Sequence, residues 1–206
     1  MEDFVLHYEK VKPVAERKLS EFSKHKDSEH EALFEEMTFC VFAANSSAKM
    51  GLKAVELLKQ VLHEGSLEDY RKAVWCKVRF YNKRSEYLYY NREKTSVLGG
   101  DLRALMSGED TYELRRFVVK EFKGFGFKEA SHFLRNIGHK GLCIIDKHVL
   151  NVMKELGVLK SNKPPRNEEE YLEIERKIKR FAEKNKFDVD VLDLAVWSYK
   201  TGEIIK

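Results

Sequence analysis

The sequence predicts an all-α protein built from two helical lobes with a cleft between them. Apolar residues recur at three- and four-residue spacing through most of the 206 residues, and no stretch shows the strict alternation of a half-buried strand. Only three prolines occur in the chain, so long helices are allowed. The last periodic segment, residues 189–197, is apolar around most of its circumference, as expected of a helix buried between lobes.

The predicted helices follow one another with polar or glycine-containing breaks between them. Asn45-Ser46-Ser47 ends the second helix and caps the third, and Ser66 caps the fourth, because their side-chain oxygens can accept hydrogen bonds from free N–H groups. A polar elbow at 79–84 precedes a tyrosine-rich helix. The predicted helices cover residues 2–24, about 27–44, 48–63, 67–77, 85–97, 111–123, a segment after Gly126, 148–156, 168–185 and 188–201.

The segment Gly124-Phe125-Gly126 predicts a tight turn between two helices, and two reactive side chains follow it. Lys128 falls on the first turn of the second helix, and Asp146 stands 18 residues later, where another helix should begin. Glycines let the backbone approach an anion closely, and a helix start offers free N–H groups to a phosphate. A helix start and burial also favour the neutral, nucleophilic form of an amine. The arrangement combines polyanion binding, an amine nucleophile and a carboxylate.

The composition restricts the partners and the location of the protein. The 38 Lys/Arg and 34 Asp/Glu residues give a net charge of +4, which alone does not indicate nucleic-acid binding. Charged residues make up 35% of the chain and Gln60 is the sole glutamine, a bias typical of thermophiles. The N-terminus has no apolar signal core and no run approaches membrane length, so we expect a cytoplasmic protein without a membrane partner.

The three cysteines indicate no metal centre. Cys40, Cys76 and Cys143 are scattered, and no C-x-x-C pair exists, so we expect neither a zinc site nor an iron–sulfur cluster, and no other cofactor. Buried thiols in a reducing, intracellular protein are the expected alternative. The length fits a single unit, residues 1–206, with two lobes, and we expect a monomer.

Four segments in order resemble one enzyme family. The glycine turn, Lys128 and Asp146 resemble the helix-hairpin-helix motif of the glycine/proline-aspartate DNA glycosylases such as endonuclease III. The closer resemblance is to the archaeal and thermophile-type 8-oxoguanine DNA glycosylase/AP lyases, and it extends from about residue 37 to the end of the chain. The segments that carry it are VRFYNKRSEYL (78–88), GFKEASHFLRNIG (126–138), IIDKHVL (144–150) and LDLAVWSYKTGEIIK (192–206).

The resemblance implies a fold, a reaction and a substrate. It implies two helical lobes, with a helix-hairpin-helix at about 111–138 flanking the cleft, and double-stranded DNA containing 8-oxoguanine as the partner. The damaged nucleotide leaves the stack, and Lys128 attacks C1′ of its sugar. The resulting Schiff base allows β-elimination of the 3′ phosphate. Asp146 stabilises the cationic sugar and also caps a helix. The alternatives are a solvated helix lysine and a simple cap.

The resemblance and the residue chemistry also indicate DNA contacts. Gly124 and Gly126 would bring backbone N–H groups onto phosphates. His148 matches the histidine of the family's Asp-x-His pattern and could donate to a phosphate, or it is a surface histidine. Asn45 and Ser46 match a loop that faces the base opposite the lesion, or they simply cap a helix.

The elbow mixes cations and aromatic residues, as a DNA-bending enzyme would require. Arg79 and Arg84 could contact phosphates, and either Phe80 or Tyr81 could be the wedge that fills the place of the flipped base. The alternative is that one of these rings plugs the core beside Trp75.

Three residues are candidates for recognition of the damaged base. Trp197 could stack on a purine, or could belong to the core. His132 lies one turn after Lys128 and could line the pocket, or could bond a backbone carbonyl. The resemblance implies that Lys206, the last residue, reaches the base; the alternative is a frayed end.

Other functions remain open on the residues alone. The same chemistry could act on oxidised pyrimidines, because selection of a base depends on one or two hydrogen bonds. A monofunctional mismatch glycosylase is disfavoured by Lys128, since such relatives usually lack that lysine. A non-catalytic helix-hairpin-helix DNA-binding module and an all-helical protein–protein scaffold are also possible, but both would need neither Lys128 nor Asp146.

Overall fold

The structure, a computed structural model, describes residues 1–203, and within this range it consists of helices and connecting segments without strands. This confirms the predicted all-α class. Besides a short 3-10 turn at His25–Asp27, the helices are α1 (Glu2–Lys24), α2 (His30–Ala43), α3 (Ala48–Leu58), α4 (Leu67–Val74), α5 (Tyr81–Val97), α6 (Leu102–Leu105), α7 (Thr111–Glu121), α8 (Phe127–Asn136), α9 (Lys147–Glu155), α10 (Glu168–Lys184) and α11 (Val189–Thr201).

Two hydrophobic cores define two lobes. Buried residues of α2 to α8, such as Phe39 and Phe133, form the first core. The second core joins α1 to α9, α10 and α11 through residues such as Phe4 and Leu192, so the two ends of the chain meet in one lobe. The chain crosses from the first core to the second in the segment between α8 and α9. Within residues 1–203, no helix has both the length and the apolar character needed to cross a membrane.

Two buried ion pairs join the lobes. Arg115 of α7 donates two hydrogen bonds of 2.9 Å to the two carboxylate oxygens of Glu175 on α10, and both side chains are almost fully buried. Arg135 of α8 pairs with Asp193 of α11 at 3.1 Å. Removing one partner of a buried pair leaves an uncompensated charge, which is strongly destabilising. Each pair therefore favours one relative placement of the lobes, and so fixes the width of the cleft between them.

Several helix starts agree with the sequence, but other boundaries differ. α3 and α4 end at Leu58 and Val74, earlier than predicted, the short helix α6 was not predicted, and α5 begins earlier. Ser47 and Ser66 cap α3 and α4, as predicted, and Ser66 forms a reciprocal capping box with Asp69. The predicted elbow at 79–84 is shorter than expected, because α5 already begins at Tyr81 and the N–H of Arg84 donates to the carbonyl of Phe80 at 3.1 Å. The polar composition of residues 79–84 predicted a loop. In the structure, residues 81–84 form the first turn of α5, and Tyr81 and Arg84 lie on its buried side.

Candidate active site

A cleft of about 940 Å³ lies between the two lobes. Its walls come from the loop between α2 and α3, from α8, from the segment that leads into α9, and from α11. Eight of the residues predicted from the sequence line it together: Asn45, Ser46, Arg79, Lys128, His132, Asp146, His148 and Trp197. The remaining predicted residues lie outside this lining or outside the described residues. The structure thus brings the predicted amine and the predicted carboxylate into one concave site.

Lys128 lies at the start of α8 and is partly enclosed. Gly126 is the N-cap of this helix and offers no side-chain cap, so Lys128 is the second helical residue. Its side chain is 30% exposed, and Nζ lies 3.0 Å from Oε1 of Glu129. The lysine is therefore within reach of a ligand in the cleft, and its nearest ionic partner belongs to the next residue of the same helix.

Asp146 is the N-cap of α9, as predicted. Its Oδ1 accepts a hydrogen bond of 2.8 Å from the N–H of Val149. Among residues 1–203, Oδ2 has no hydrogen-bond partner. A capping carboxylate is stabilised as an anion by the helix start. One oxygen therefore has a structural role, while the other can act on charge that develops in the cleft.

The extended segment that carries Asp146 is fixed by side chains of the second lobe. In the absence of a sheet, its backbone N–H groups need other acceptors. Four consecutive or nearly consecutive groups have them: Gly141 donates to Asp190 at 2.9 Å, Cys143 to Glu175 at 2.9 Å, Ile144 to Asp193 at 3.1 Å and Ile145 to Tyr171 Oη at 3.2 Å. The position of Asp146 is thereby coupled to α10 and α11.

The acceptors of this segment are themselves buried, and burial changes their titration. Burial raises the pKa of Asp193 to about 7, against the opposing effects of Arg135 and of the Ile144 N–H. The nearby charge of Asp146 raises that pKa further. Burial also raises the pKa of Asp190 and of the Tyr171 hydroxyl, which donates to the Cys143 carbonyl at 2.6 Å. Glu175 and Asp193 also belong to the two ion pairs between the lobes, so these pairs also hold the segment that leads to Asp146.

The helix-hairpin-helix is formed by α7, the turn at 122–126 and α8. The side chain of Asn91, on α5, clamps the turn: it accepts from the N–H of Lys123 at 2.7 Å and donates to the carbonyl of Lys123 at 3.0 Å. Gly124 has a φ of +84°, a left-handed conformation that side chains other than glycine rarely adopt. The turn therefore presents the first N–H groups of α8 without a competing side-chain cap.

Gly124→Ala is expected to lower the free energy of unfolding by about 1–2 kcal/mol, because alanine is strained at positive φ. Its Cβ would also stand 2.9 Å from Cδ2 of Tyr87, so this ring must move. DNA affinity should fall as the turn shifts. Gly99→Ala is the matched control, since Gly99 also has a positive φ of 114° but nothing within 4 Å of an added Cβ. Denaturant unfolding and DNA titration of both variants measure the two effects; equal DNA affinity in both would contradict a phosphate-binding turn.

The elbow distinguishes between the two aromatic candidates for the wedge. Phe80 is 53% exposed and adopts a left-handed conformation with φ 57°. The guanidinium of Arg79 lies 4.6 Å from the centre of its ring. Tyr81 packs against the first core instead. Trp75, which was considered as a neighbour in the core, is 63% exposed. Of the two candidates, Phe80 is therefore the one whose ring is exposed.

Arg84 does not have the position expected of a phosphate ligand. It is 5% exposed, and its guanidinium donates to the carbonyl oxygens of Phe42, at 2.6 Å, and Ala44. The prediction of a DNA contact for Arg84 was wrong, because its donors are used at the end of α2. There it supports the loop that carries Asn45 and Ser46, whose side chains are exposed at the cleft.

Two of the three base-recognition candidates lie in the cleft. Trp197 of α11 and His132 of α8 both line it and are partly buried. The ring of His132 lies 5.5 Å from that of Phe39, at a steep angle. Lys206 lies outside the described residues. His148, on the first turn of α9, is partly buried beside Asp146.

Comparison with known proteins agrees with this geometry. The family model of the 8-oxoguanine DNA glycosylases matches residues 15–187. The chain belongs to this family. It is 34% identical over 209 residues to the 8-oxoguanine DNA glycosylase/AP lyase of Picrophilus torridus, covering 100% of this chain and 97% of that protein.

Solved structures of the 8-oxoguanine DNA glycosylases share the fold over the whole chain. The crystal structure of the Thermotoga maritima enzyme has a TM-score of 0.89 and 33% identity, and the match covers 100% of this chain and 97% of that one. The Methanocaldococcus jannaschii 8-oxoguanine glycosylase/lyase, in complex with a 15mer DNA containing 8-oxoguanine, has a TM-score of 0.87 and 28% identity over 100% of both chains. These matches confirm the helix-hairpin-helix fold with its two lobes.

Sequence reasoning missed one carboxylate beside Lys128 and two that hold the segment before Asp146. Glu129 follows Lys128 directly, and its position near a helix start could have marked it as an anionic partner of the amine. Asp193 and Glu175 lie far along the chain from the segment that they hold. The sequence does carry one signal for Asp193, which is a charged residue within a largely apolar helix. Charged residues are rarely buried without a partner, so such a position indicates a buried ion pair.

Proposed function

We propose that the protein excises 8-oxoguanine from double-stranded DNA and cleaves the resulting abasic site by Schiff-base β-elimination. The observation that carries the proposal is that Lys128 and Asp146, from two different helices, line one cleft next to the helix-hairpin-helix. A DNA-binding module or a protein scaffold would have no need of this pair in a cleft. The names of the family and of the similar proteins support the same reaction and substrate.

In this proposal, one side of the cleft binds the phosphates of the DNA backbone. Phosphates would be bound by the N–H groups around Gly124 and Gly126 and by His148 at the start of α9. Arg79, which is exposed at the cleft, would add a positive charge. Asn45 and Ser46, exposed at the opposite loop, would face the base that loses its partner.

Phe80 is proposed as the wedge that holds the duplex open. The Phe80→Ala variant should excise the lesion from duplex DNA roughly tenfold more slowly, because base–aromatic stacking contributes about 1–3 kcal/mol. Trp75→Ala removes another exposed aromatic side chain, 63% exposed against 53% for Phe80, from the segment before the elbow; it is the control and should change the rate little. Single-turnover excision from duplex DNA gives the comparison, and equal rates for both variants would remove Phe80 from the proposal.

The chemistry divides between the two catalytic residues. The free amine of Lys128 would attack C1′ of the flipped nucleotide while the bond to the base breaks, and the covalent adduct would rearrange to a Schiff base. Asp146 would stabilise the positive charge that develops on the sugar, through the carboxylate oxygen that the cap does not use. A nucleotide that fills the cleft would strengthen this interaction, since exclusion of water lowers the effective dielectric constant.

Base recognition is proposed for the far end of the cleft. Trp197 offers a face on which a purine can stack, and His132 offers a ring nitrogen, so together they can bind a flat, polar base. A contact from Lys206 is proposed from the family resemblance alone.

We further propose that residues 1–206 act as one unit, as a cytoplasmic monomer; the packing of α1 against α11 supports the single unit.

The test is a panel of duplexes that carry different lesions, incubated with the protein and borohydride. Borohydride reduces a Schiff base to a stable adduct, so a trapped complex reports the covalent step. We expect a trapped adduct with 8-oxoguanine duplexes and little with undamaged DNA. Trapping with oxidised pyrimidines and not with 8-oxoguanine would show that oxidised pyrimidines are the substrate. Base release without any adduct would contradict the lyase reaction.

A further inference from the structure

A carboxylate that the sequence analysis did not single out lies beside the proposed nucleophile. Oε1 of Glu129 is 3.0 Å from Nζ of Lys128, and the two side chains are only 17% and 30% exposed. Both residues line the cleft. Among residues 1–203, Glu129 is the one carboxylate within ion-pair distance of this amine.

The local backbone leaves room for this carboxylate. A Cβ at position 126 would stand 3.3 Å from Oε2 of Glu129, closer than most such contacts, so glycine at this position makes space for the acid. Glu129 is the third residue of α8, close to the positive end of the helix dipole, where an anion is favoured. Gly126 thus serves both the hairpin turn and the carboxylate beside the nucleophile.

Arg84 supplies a fixed positive charge near Glu129. Its guanidinium cannot easily move, because it donates to two backbone carbonyls of the α2 end. Burial and the charge of Arg79 lower the pKa of Arg84, and the nearby charge of Glu129 raises it. Other titratable or charged groups also line the cleft, and they come from several elements. They are Cys40 on α2, Lys49 on α3, Arg79 before α5, His132 and Arg135 on α8, Asp146, Lys147 and His148 at the start of α9, Asp193 on α11, and Glu203 after α11. Asp146 and Asp193 are engaged with Val149 and Arg135, respectively.

We propose that Glu129 is the proton acceptor that converts Lys128 from an ammonium ion into the attacking amine, an inference that rests on the function proposed above. An amine can attack only when its nitrogen electron pair is free. While the cleft is open, water solvates both charges and the ion pair persists. When a flipped nucleotide fills the cleft and excludes water, the charged pair loses solvation and the neutral amine–acid pair is favoured.

In the proposed reaction, every transferred proton and electron pair has a donor and an acceptor. An N–H bond of Lys128 breaks and an O–H bond forms on Glu129. The freed nitrogen pair forms the bond to C1′, while the bond from C1′ to the base breaks and its electrons leave with the base. The departing base takes the proton from Glu129, and Arg84 favours the return of Glu129 to a carboxylate. The carboxylate can then accept a second proton, from the nitrogen of the adduct. As the nitrogen pair forms the C1′=N bond of the Schiff base, the bond from C1′ to the ring oxygen O4′ breaks and O4′ takes this proton from Glu129.

The experiment compares pH profiles of single-turnover excision from an 8-oxoguanine duplex, with the protein in excess, for the wild-type, Glu129→Gln and Glu129→Asp proteins. Internal proton transfer predicts a nearly flat wild-type profile. In Glu129→Gln the proton of Lys128 must leave to solvent, so we expect the excision rate near pH 7 to fall roughly 100-fold. The rate of this variant should then rise about tenfold per pH unit toward pH 9. Glu129→Asp should keep the flat profile with a smaller loss.

Controls separate this role from a structural one. Glu121→Gln removes a carboxylate that pairs with Lys94 at 2.7 Å in the same hairpin, outside the cleft lining, and should leave the profile unchanged. A loss in Glu129→Gln that is equal at every pH, or a faster reaction, would overturn the proposal. If Glu129→Gln does not fold, a steep profile in Glu129→Asp overturns it. Absence of a borohydride adduct in the wild-type protein would instead refute the proposed function and, with it, this role.

Discussion

Replacing Lys128 with glutamine is expected to abolish base release and borohydride trapping, with a loss of roughly 10³-fold or more, because the variant has no amine to form the covalent adduct. Glutamine keeps most of the length of the side chain and does not remove a cap, since α8 has no side-chain cap to lose. The duplex should therefore bind with little change in affinity. Quenched single-turnover excision, trapping and DNA titration on the same preparation measure the three quantities.

The matched control for this variant is Lys120→Gln. Lys120 lies on α7 of the same hairpin, is 82% exposed and has a weak ion pair of 3.5 Å with Glu121. Its replacement removes the same charge from the same motif but should retain excision and trapping. Trapping at the wild-type level in Lys128→Gln would show that another amine forms the adduct. A similar loss in both variants would indicate that the charge of the hairpin, and not an attack by Lys128, limits the reaction.

Local motifs predicted the fold class, and they identified the candidate catalytic pair that lines the cleft, because their information lies within a few residues. Glycines at 124 and 126 indicate a turn whatever surrounds them, and an aspartate at the start of an amphipathic segment indicates a cap. Both interpretations need only neighbours in sequence. The cap of Asp146 on Val149 and the helix start at Gly126 occur as predicted.

Contacts between distant parts of the chain were not predictable in this way. The fold brings Arg84 to the end of α2, where its guanidinium donates to the carbonyl of Ala44, 40 residues away. The residue that we expected to bind phosphate therefore supports the backbone of this loop instead. The acceptors of the segment before Asp146 lie on α10 and α11, 32 and 49 residues from the N–H groups that they bind. Such pairs depend on how the two lobes pack, and the hydrophobic pattern of either partner does not specify that packing.

Asparagine at position 146 separates the charge of this residue from its role as a cap. Asn and Asp are comparable N-caps, so Asp146→Asn should lower the free energy of unfolding by only about 1 kcal/mol or less. Excision should fall by about 10² to 10³-fold, because loss of one preorganised electrostatic contact to a transition state costs about 2.7–4 kcal/mol. The pKa of Asp193 should also fall, since the charge of Asp146 contributes to raising it. Single-turnover kinetics and denaturant unfolding give the two effects separately.

Asp188→Asn is the matched control, because Asp188 caps α11 by accepting from the N–H groups of Asp190 and Val191 at 2.9 and 3.0 Å, and it does not line the cleft. It undergoes the same chemical change at the same kind of helix position. We expect the two variants to lose similar stability, while only Asp146→Asn loses excision. If Asp146→Asn unfolds readily but its folded fraction turns over at the wild-type rate, the residue is a cap alone. We would then expect the charge that stabilises the sugar to come from Glu129, the carboxylate paired with Lys128 in the cleft. In that case the Glu129→Gln variant would lose activity without recovery at high pH.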